Sequence, residues 1–288
     1  MTLQVKIAHI SDLHLSGRRN MMLLDHLDRL FGFFKDSGFD HLVITGDLSD
    51  RANPEDWALT RELLERHGLL RWERTTVVAG NHDVINLEEE MRFYNALNPF
   101  QFFRSESCRR RLDRFYELFQ ELVTGSDGDK AGTPFVKILR FGKLQVALAA
   151  FNSVWPWSPV ENPLGARGLV AAEELHAAGS DEVVRLLREA LVIGLCHHAW
   201  RVYDTDSLID QAFDWTMELQ HRDAFLELMQ RLGAKLVLHG HFHRFQTYQA
   251  GGIRFVNGGY FRNAPLRYSE LVIDETHRIS QRFAYAPL

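Results

Sequence analysis

The sequence predicts a mixed α/β fold built on parallel strands, and three observations carry that reading. Apolar, β-branched runs alternate with helical spacing over the first eighty residues, several such runs end in Asp, Asn or His, and the closing third returns to short strands separated by turn residues. Polar groups at the carboxyl ends of alternating strands mark a parallel sheet whose ligands gather outside those ends. The expected organisation is one domain over residues 1–288, with a helical insertion or lid at about 84–130.

In chain order, Val5 to Ser11 is the first apolar run and leads into Asp12, Leu13 and His14. Residues two apart in an extended segment share a side, so Asp12 and His14 can present an oxygen and a nitrogen to one point. The plainer alternative is a capping Asp beside a surface His. Met21 to Lys35 carries Leu23, Leu24, Leu27, Leu30, Phe33 and Phe34 on one broad face, a helix that Ser37 and Gly38 stop. His41 to Thr45 is the second strand, followed by Gly46, Asp47, Leu48, Ser49, Asp50 and Arg51. A helix from Pro54 to His67, with Pro54 in its first turn, precedes the third strand, Thr75 to Val78. The turn after it is Gly80, Asn81, His82 and Asp83. Glycine permits the sharp bend, and the amide, imidazole and carboxylate that follow are ligand and proton-transfer types.

From Val84 to about Lys130 the alternation breaks into a stretch rich in Phe and Arg, with a helix expected from Ser107 to Val123 and an exposed loop from Ser126 to Gly132. It reads either as a lid gripping an anionic substrate or as a helix whose arginines face water and whose phenylalanines pack on the body. Phe135 to Phe141 and Leu144 to Phe151 form a hairpin about Gly142 and Lys143. The loop from Asn152 to Gly168 holds Trp155 and Trp157, which either stack on a substrate ring or pin the loop down. A helix around Ala171 to Ala190 leads to the run Leu191 to Cys196 and then His197 and His198. The connection from Ala199 to Gln220, with Trp200, Tyr203 and Trp215, is a candidate cleft wall. A helix from Arg222 to Leu232 feeds Lys235 to Leu238, followed by His239, Gly240, His241, Phe242 and His243. Two histidines two apart beside a glycine point to a metal site more than to structure. Phe245 to Tyr248, Arg254 to Val256, Tyr268 to Ile273 and Ile279 to Tyr285 read as antiparallel strands closing a second sheet.

Composition narrows the function. With 288 residues and 45% hydrophobic content the chain can bury a large core. No run of 18 apolar residues occurs, and the strand-like start lacks the regions of a secretory signal, so no membrane partner is expected. Two cysteines cannot make a disulfide framework, which points to a reducing, cytoplasmic setting. A formal net charge of −5 argues against a protein that holds nucleic acid chiefly by counterion release.

The inventory at strand ends is thus two aspartates, one asparagine and four histidines. Oxygen and imidazole donors without thiolates suit Mn, Fe, Co or Zn. Seven ligands are too many for one tetrahedral ion and about right for two ions sharing a carboxylate.

This arrangement resembles the calcineurin-like metallophosphoesterases. Five signature segments are matched in order by Asp12–Leu13–His14, Gly46–Asp47, Gly80–Asn81–His82–Asp83, His197, and Gly240–His241–Phe242–His243. The resemblance implies a two-sheet mixed β-sandwich flanked by helices, in four α/β/β/α layers. It implies that Asp12, His14 and His243 hold one divalent ion, that Asn81, His197 and His241 hold the other, and that Asp47 bridges them. Mn or Fe is favoured, with Zn, Co or Ni as alternatives. Many relatives have His, any residue, Pro in the fourth segment; here it is His197, His198, Ala199, so His198 stands as the alternative ligand. The chemistry expected is phosphoester hydrolysis, with hydroxide from a shared water attacking phosphorus and His82 as general acid. Asp50 is expected to orient His82, and Arg51 is a candidate phosphate contact. A small phosphodiester, a cyclic nucleotide among the options, is the expected substrate. The alternatives are a repair-type metallonuclease and a metal-bound scaffold without turnover.

Overall fold

Three parallel strands, β1 (Gln4–Ile10), β2 (His41–Thr45) and β3 (Thr75–Val78), build one half of the molecule, and both β2 and β3 are buried along their whole length. The computed structural model describes residues 3–17, 20–97, 102–125, 131–201 and 216–287. Residues 126–130 of the loop expected at 126–132, and the residues Tyr203 and Trp215, lie outside them. Helices α1 (Met21–Asp36) and α2 (Pro54–Arg66) connect the strands. Asn20 caps α1 by accepting from the Leu23 amide, and Asn53 caps α2 ahead of Pro54, so both helices start where their cap residues dictate.

The second half holds β4 (Phe135–Phe141), β5 (Leu144–Ala150), β7 (Leu191–Leu195), β9 (Leu236–His239), β10 (Phe245–Ala250) and β11 (Ile253–Gly258), while β6 (Gly168–Leu169) and β8 (Leu219–Gln220) form a separate small ladder. One sheet runs β13-β12-β1-β2-β3 and the other β10-β11-β9-β7-β5-β4, where β12 is Arg267–Asp274 and β13 is Ile279–Tyr285. The four closing strands therefore do not complete one sheet, as the sequence had suggested. β12 pairs antiparallel with β1, whereas β11 runs parallel to β9. The reason is burial on two faces: Leu271 and Ile273 of β12 enter the same core as Val5 and Ile7 of β1.

Period-two alternation distributes each strand between two cores. In β1, Val5 and Ile7 face the other sheet, where they meet Leu148, Ile193 and Leu238, whereas Ala8 and Ile10 face α1 and α2. In β7, Ile193 and Leu195 point inward, while Val192 packs with Phe225 and Met229 of helix Arg222–Arg231 on the outer side. The layers are thus helix, sheet, sheet, helix, a mixed α/β sandwich. No helix among the described residues is long and apolar enough to cross a membrane.

Two helices differ from expectation. The helix at 171–190 is broken into α7 (Ala172–Ala178) and α8 (Asp181–Leu187), because the Ser180 hydroxyl accepts from the Val183 amide and starts a new helix after Gly179. After the single turn α3 (Asn81–Val84), the 84–130 stretch holds α4 (Leu87–Leu97), α5 (Phe102–Leu118) and the single turn α6 (Gln120–Val123). Phe115 and Phe119 are buried beneath it with Trp57, and Arg111 donates to the Val84 carbonyl at 3.0 Å. The tryptophans of the 152–168 loop hold that loop in place. Trp157 is buried and donates to the Pro163 carbonyl at 2.9 Å, and the Arg167 guanidinium covers Trp155.

Lys137 of β4 is fully buried and links the two sheets by donating to the carbonyls of Trp72 and Thr75, at 2.8 and 2.7 Å. A neutral amine satisfies both acceptors, and burial pushes the Lys137 pKa down to about 7. Below pH 7 folded and unfolded chains both carry the proton and the burial penalty is complete. Between about pH 7 and the ordinary lysine value the unfolded chain binds the extra proton, so this residue makes stability rise with pH. Relative to Lys137→Met, metal-loaded wild type should gain at most about 4 kcal/mol between pH 7 and 10 in denaturant melts. A flat difference would show Lys137 to be charged in place.

Candidate metal centre

Parallel strands place their carboxyl ends on one edge, and both sheets bring that edge to the same point. Asp12 and His14 follow β1, Asp47 follows β2, Asn81 follows β3, His197 follows β7, and His241 and His243 follow β9. Backbone bonds lock neighbouring ends together within each sheet: the Asp12 amide donates to the Gly46 carbonyl at 3.0 Å, and the Gly240 amide donates to the His197 carbonyl at 2.9 Å. Side chains then join the sheets. The His241 amide donates to the Asp12 carboxylate at 3.1 Å, and His197 Nδ1 donates to the Thr45 carbonyl at 2.7 Å.

Neither Asp12 and His14 nor His241 and His243 use the extended spacing that the sequence suggests. Asp12, His14, Asp47, His241 and His243 all have φ between 45° and 72°. Left-handed backbone at non-glycine residues costs on the order of 1 kcal/mol or more each and persists where the surroundings enforce it. Here it turns consecutive side chains inward immediately after the strand ends. Gly46 has φ +94°, and a Cβ there would lie 2.6 Å from His197 Nδ1 and 2.7 Å from the Gly80 amide nitrogen. Glycine is what lets β2 and β3 approach closely enough to share a pocket.

Besides His14, Asp50 and His82, which also converge, two groups of side chains in this pocket could hold a metal ion: Asp12, His14, Asp47 and His243, and then Asp47, His197 and His241. Asp47 belongs to both. Its Oδ2 lies 3.5 Å from His14 Nε2 and 3.3 Å from His197 Nε2. Asn81 joins the second group, with Oδ1 at 3.1 Å from both His197 Nε2 and His241 Nδ1. In the first group His243 Nε2 is 3.2 Å from Asp12 Oδ1 and 3.1 Å from His14 Nε2. All of these residues are buried except His243, whose side chain is 40% exposed and stacks on Tyr260 at 4.1 Å.

The donor set fits two cations. Ring nitrogens and carboxylate oxygens crowd toward common points in the dry interior, an arrangement that requires positive charge between them. Burial pushes the His14 pKa down, yet hydrogen bonds to Asp12 and Asp50 and the charge of Asp47 carry it up to about 11. Burial likewise disfavours the His197 cation, and Asp47 raises its pKa to about 9. Asp12 stays well below the usual carboxylate range despite burial, through its hydrogen bonds to His14 and His243. His241 is held neutral, its pKa pushed down to about 3 by burial and by His197, and neutral imidazole is the form that ligates. His197 Nδ1 is tied to the Thr45 carbonyl and His14 Nδ1 lies 3.3 Å from the Asp50 carboxylate, which leaves each Nε2 to point into the site.

Other residues singled out in the sequence sit around this centre. His82 is half-buried, its amide donates to Asp47 Oδ1 at 2.8 Å, and its ring lies 4.7 Å from that of His14. Its Nδ1 donates to the Asp50 backbone carbonyl at 2.9 Å, so the contact expected from the Asp50 side chain is made by its main chain. The Asp50 carboxylate instead reaches His14, because the chain there turns its side chain toward the β1 end. Arg51 pairs with Glu88 at 3.4 Å. Asp83 accepts from the Gly80 and Ser49 amides and the Trp57 indole at 2.9, 3.0 and 3.1 Å, and so braces the turn. His198 bonds Ser153 at 2.9 Å, outside both metal groups, and His239 turns toward Tyr248. Between His197 and His198, the structure brings His197 to Asp47.

Three residues were missed in the sequence. Asn257, whose side chain donates to the Gly240 carbonyl at 3.0 Å, is the penultimate residue of β11, and Tyr260 and Arg262, whose guanidinium lies 3.5 Å from Asp50, follow the strand's carboxyl end. Their signal was present in the polar residues after a strand end. An antiparallel strand would not carry them to this edge, and the parallel pairing of β11 with β9 does.

A model of the family described as calcineurin-like phosphoesterase matches residues 5–245. No curated protein matches in sequence. Among solved structures, a phosphopantetheinyl hydrolase from Mycobacterium tuberculosis superposes with a TM-score of 0.52 at 17% identity, covering 100% of both chains. A dimetal phosphatase from Danio rerio gives 0.56 at 11% identity, over 98% of this chain and 99% of that one. A purple acid phosphatase from yellow lupin seeds gives 0.59 at 11% identity, over 99% of this chain and 52% of that one. At such identities the likeness is one of fold.

Proposed function

Since this chain belongs to the calcineurin-like phosphoesterase family, a family of metal-dependent phosphoester hydrolases, we propose that it hydrolyses a small phosphodiester with the help of two divalent ions. One observation carries the reading: two ligand groups share Asp47, and His82 stands beside them with one nitrogen committed to a carbonyl. Asp12, His14 and His243 would hold one ion and Asn81, His197 and His241 the other, with Asp47 common to both. Such a pair, when bound, supplies Lewis-acid charge and a water acidic enough to react near neutral pH. The mixed oxygen and imidazole set suits Mn or Fe.

The chain's own groups do the rest. Fixing Nδ1–H on the Asp50 carbonyl presents His82 Nε2 to the cavity in front of the site, where it gives a proton to the leaving oxygen as the P–O bond breaks. Arg262, 39% exposed beside Asp50, offers its guanidinium to non-bridging phosphate oxygens. Protein loaded with Mn should hydrolyse bis(p-nitrophenyl) phosphate, lose that activity in a chelator and regain it on Mn addition. Absence of turnover at full metal content would leave the protein a metal-bound scaffold.

A further inference from the structure

A cavity of about 490 Å³ opens in front of His82. His82, Asn81, Asp50 and Asn86 line it together with two aliphatic walls, Ile85, Leu87 and Met91 in one and Leu164 in the other. The two walls are joined to the candidate site itself: Asn81 Nδ2 donates to the Gly165 carbonyl at 3.1 Å, and Gly165 packs closely on Ile85. Met91 and Leu164 are 50% and 55% exposed, and both belong to the small set of large apolar side chains left in water among the described residues. Arg51 and Glu88, paired at 3.4 Å, neutralise one another at the rim.

We infer that this cavity is the leaving-group subsite and that it takes an alcohol with an unbranched aliphatic body. The inference rests on the phosphoesterase reading, because His82 in its lining is the proposed proton donor to the leaving oxygen. A group leaving past His82 has this cavity directly ahead of it. Flexible aliphatic walls shield methylenes from water, and each methylene so buried raises affinity about fourfold at full burial. Apart from His82 no aromatic ring lines the cavity among the described residues, so a nucleobase would find no stacking face. Arg51 is paired with Glu88 and Asp50 adds a further carboxylate, so a second anionic group gains nothing there.

Methyl alkyl phosphates test this cleanly, since primary alkanols leave with nearly constant intrinsic reactivity while chain length varies. With Mn-loaded protein, kcat/KM for alkanol release should rise two- to fourfold per methylene from ethyl to hexyl. Leu164→Asp should flatten the rise. A second readout avoids turnover: with methyl-labelled methionine, the Met91 resonance, assigned through Met91→Leu, should move on titration with octyl phosphate and not with inorganic phosphate. A chain-length profile that is flat in wild type, a slope unchanged in Leu164→Asp, or an unmoved Met91 signal would overturn the subsite while leaving diester hydrolysis standing. Inert esters together with a Met91 shift would overturn hydrolysis and leave the apolar subsite.

Discussion

Asp47→Asn should remove both metal ions at once. The carboxylate is buried, one oxygen receives the His82 amide at 2.8 Å, and the other sits 3.5 and 3.3 Å from His14 and His197. Asparagine keeps the shape and one acceptor but deletes the charge that both ligand groups share and turns an N–H toward one of them. Removing a charge from a buried, paired cluster leaves its partners uncompensated. Metal content by mass spectrometry should fall from two ions per chain to none. Diester turnover should drop by more than the ~100-fold that loss of a supporting partner costs, while circular dichroism stays that of the folded sandwich. A variant retaining two ions would remove Asp47 from the bridging position.

His82→Ala should separate chemistry from metal binding. Its ring contributes to neither metal group that shares Asp47, so ion content should be unchanged. Loss of a general acid lowers kcat by roughly 10²–10⁴ for an alkanol, which leaves poorly without a proton. For p-nitrophenol, which leaves readily as an anion, the fall should be much smaller. Equal losses on both leaving groups, or a loss of metal, would place His82 in structure. Asp50→Ala offers the counterpart. Since the main-chain carbonyl holds His82, this change should leave the leaving-group dependence intact and instead weaken metal binding about 10- to 100-fold through His14.

The elements with strong periodicity were legible in detail. β2 and β3 appear over the residues that their β-branched runs marked, and α1 ends at the stop set by Ser37 and Gly38. These are local decisions, made by side-chain spacing and caps. The direction of β11 was not legible, because a short strand's pairing depends on which neighbour buries its faces, and with it went Arg262 and Tyr260. The break at Gly179 was missed for a related reason: a serine cap is decisive only when the following residues turn back onto the body, as α8 does here.

By itself the sequence determined the chemistry available at the strand ends, since residue type and strand periodicity place Asp, Asn and His immediately after buried runs. Folding decided how those groups face one another. Left-handed backbone at Asp12, His14, Asp47, His241 and His243 aims them at common points, and no spacing rule encodes that conformation, because it is enforced by contacts between two sheets far apart in the chain. The same tertiary packing moved the Asp50 carboxylate from His82 to His14, brought Arg262 to its side and set the aliphatic-walled cavity before His82.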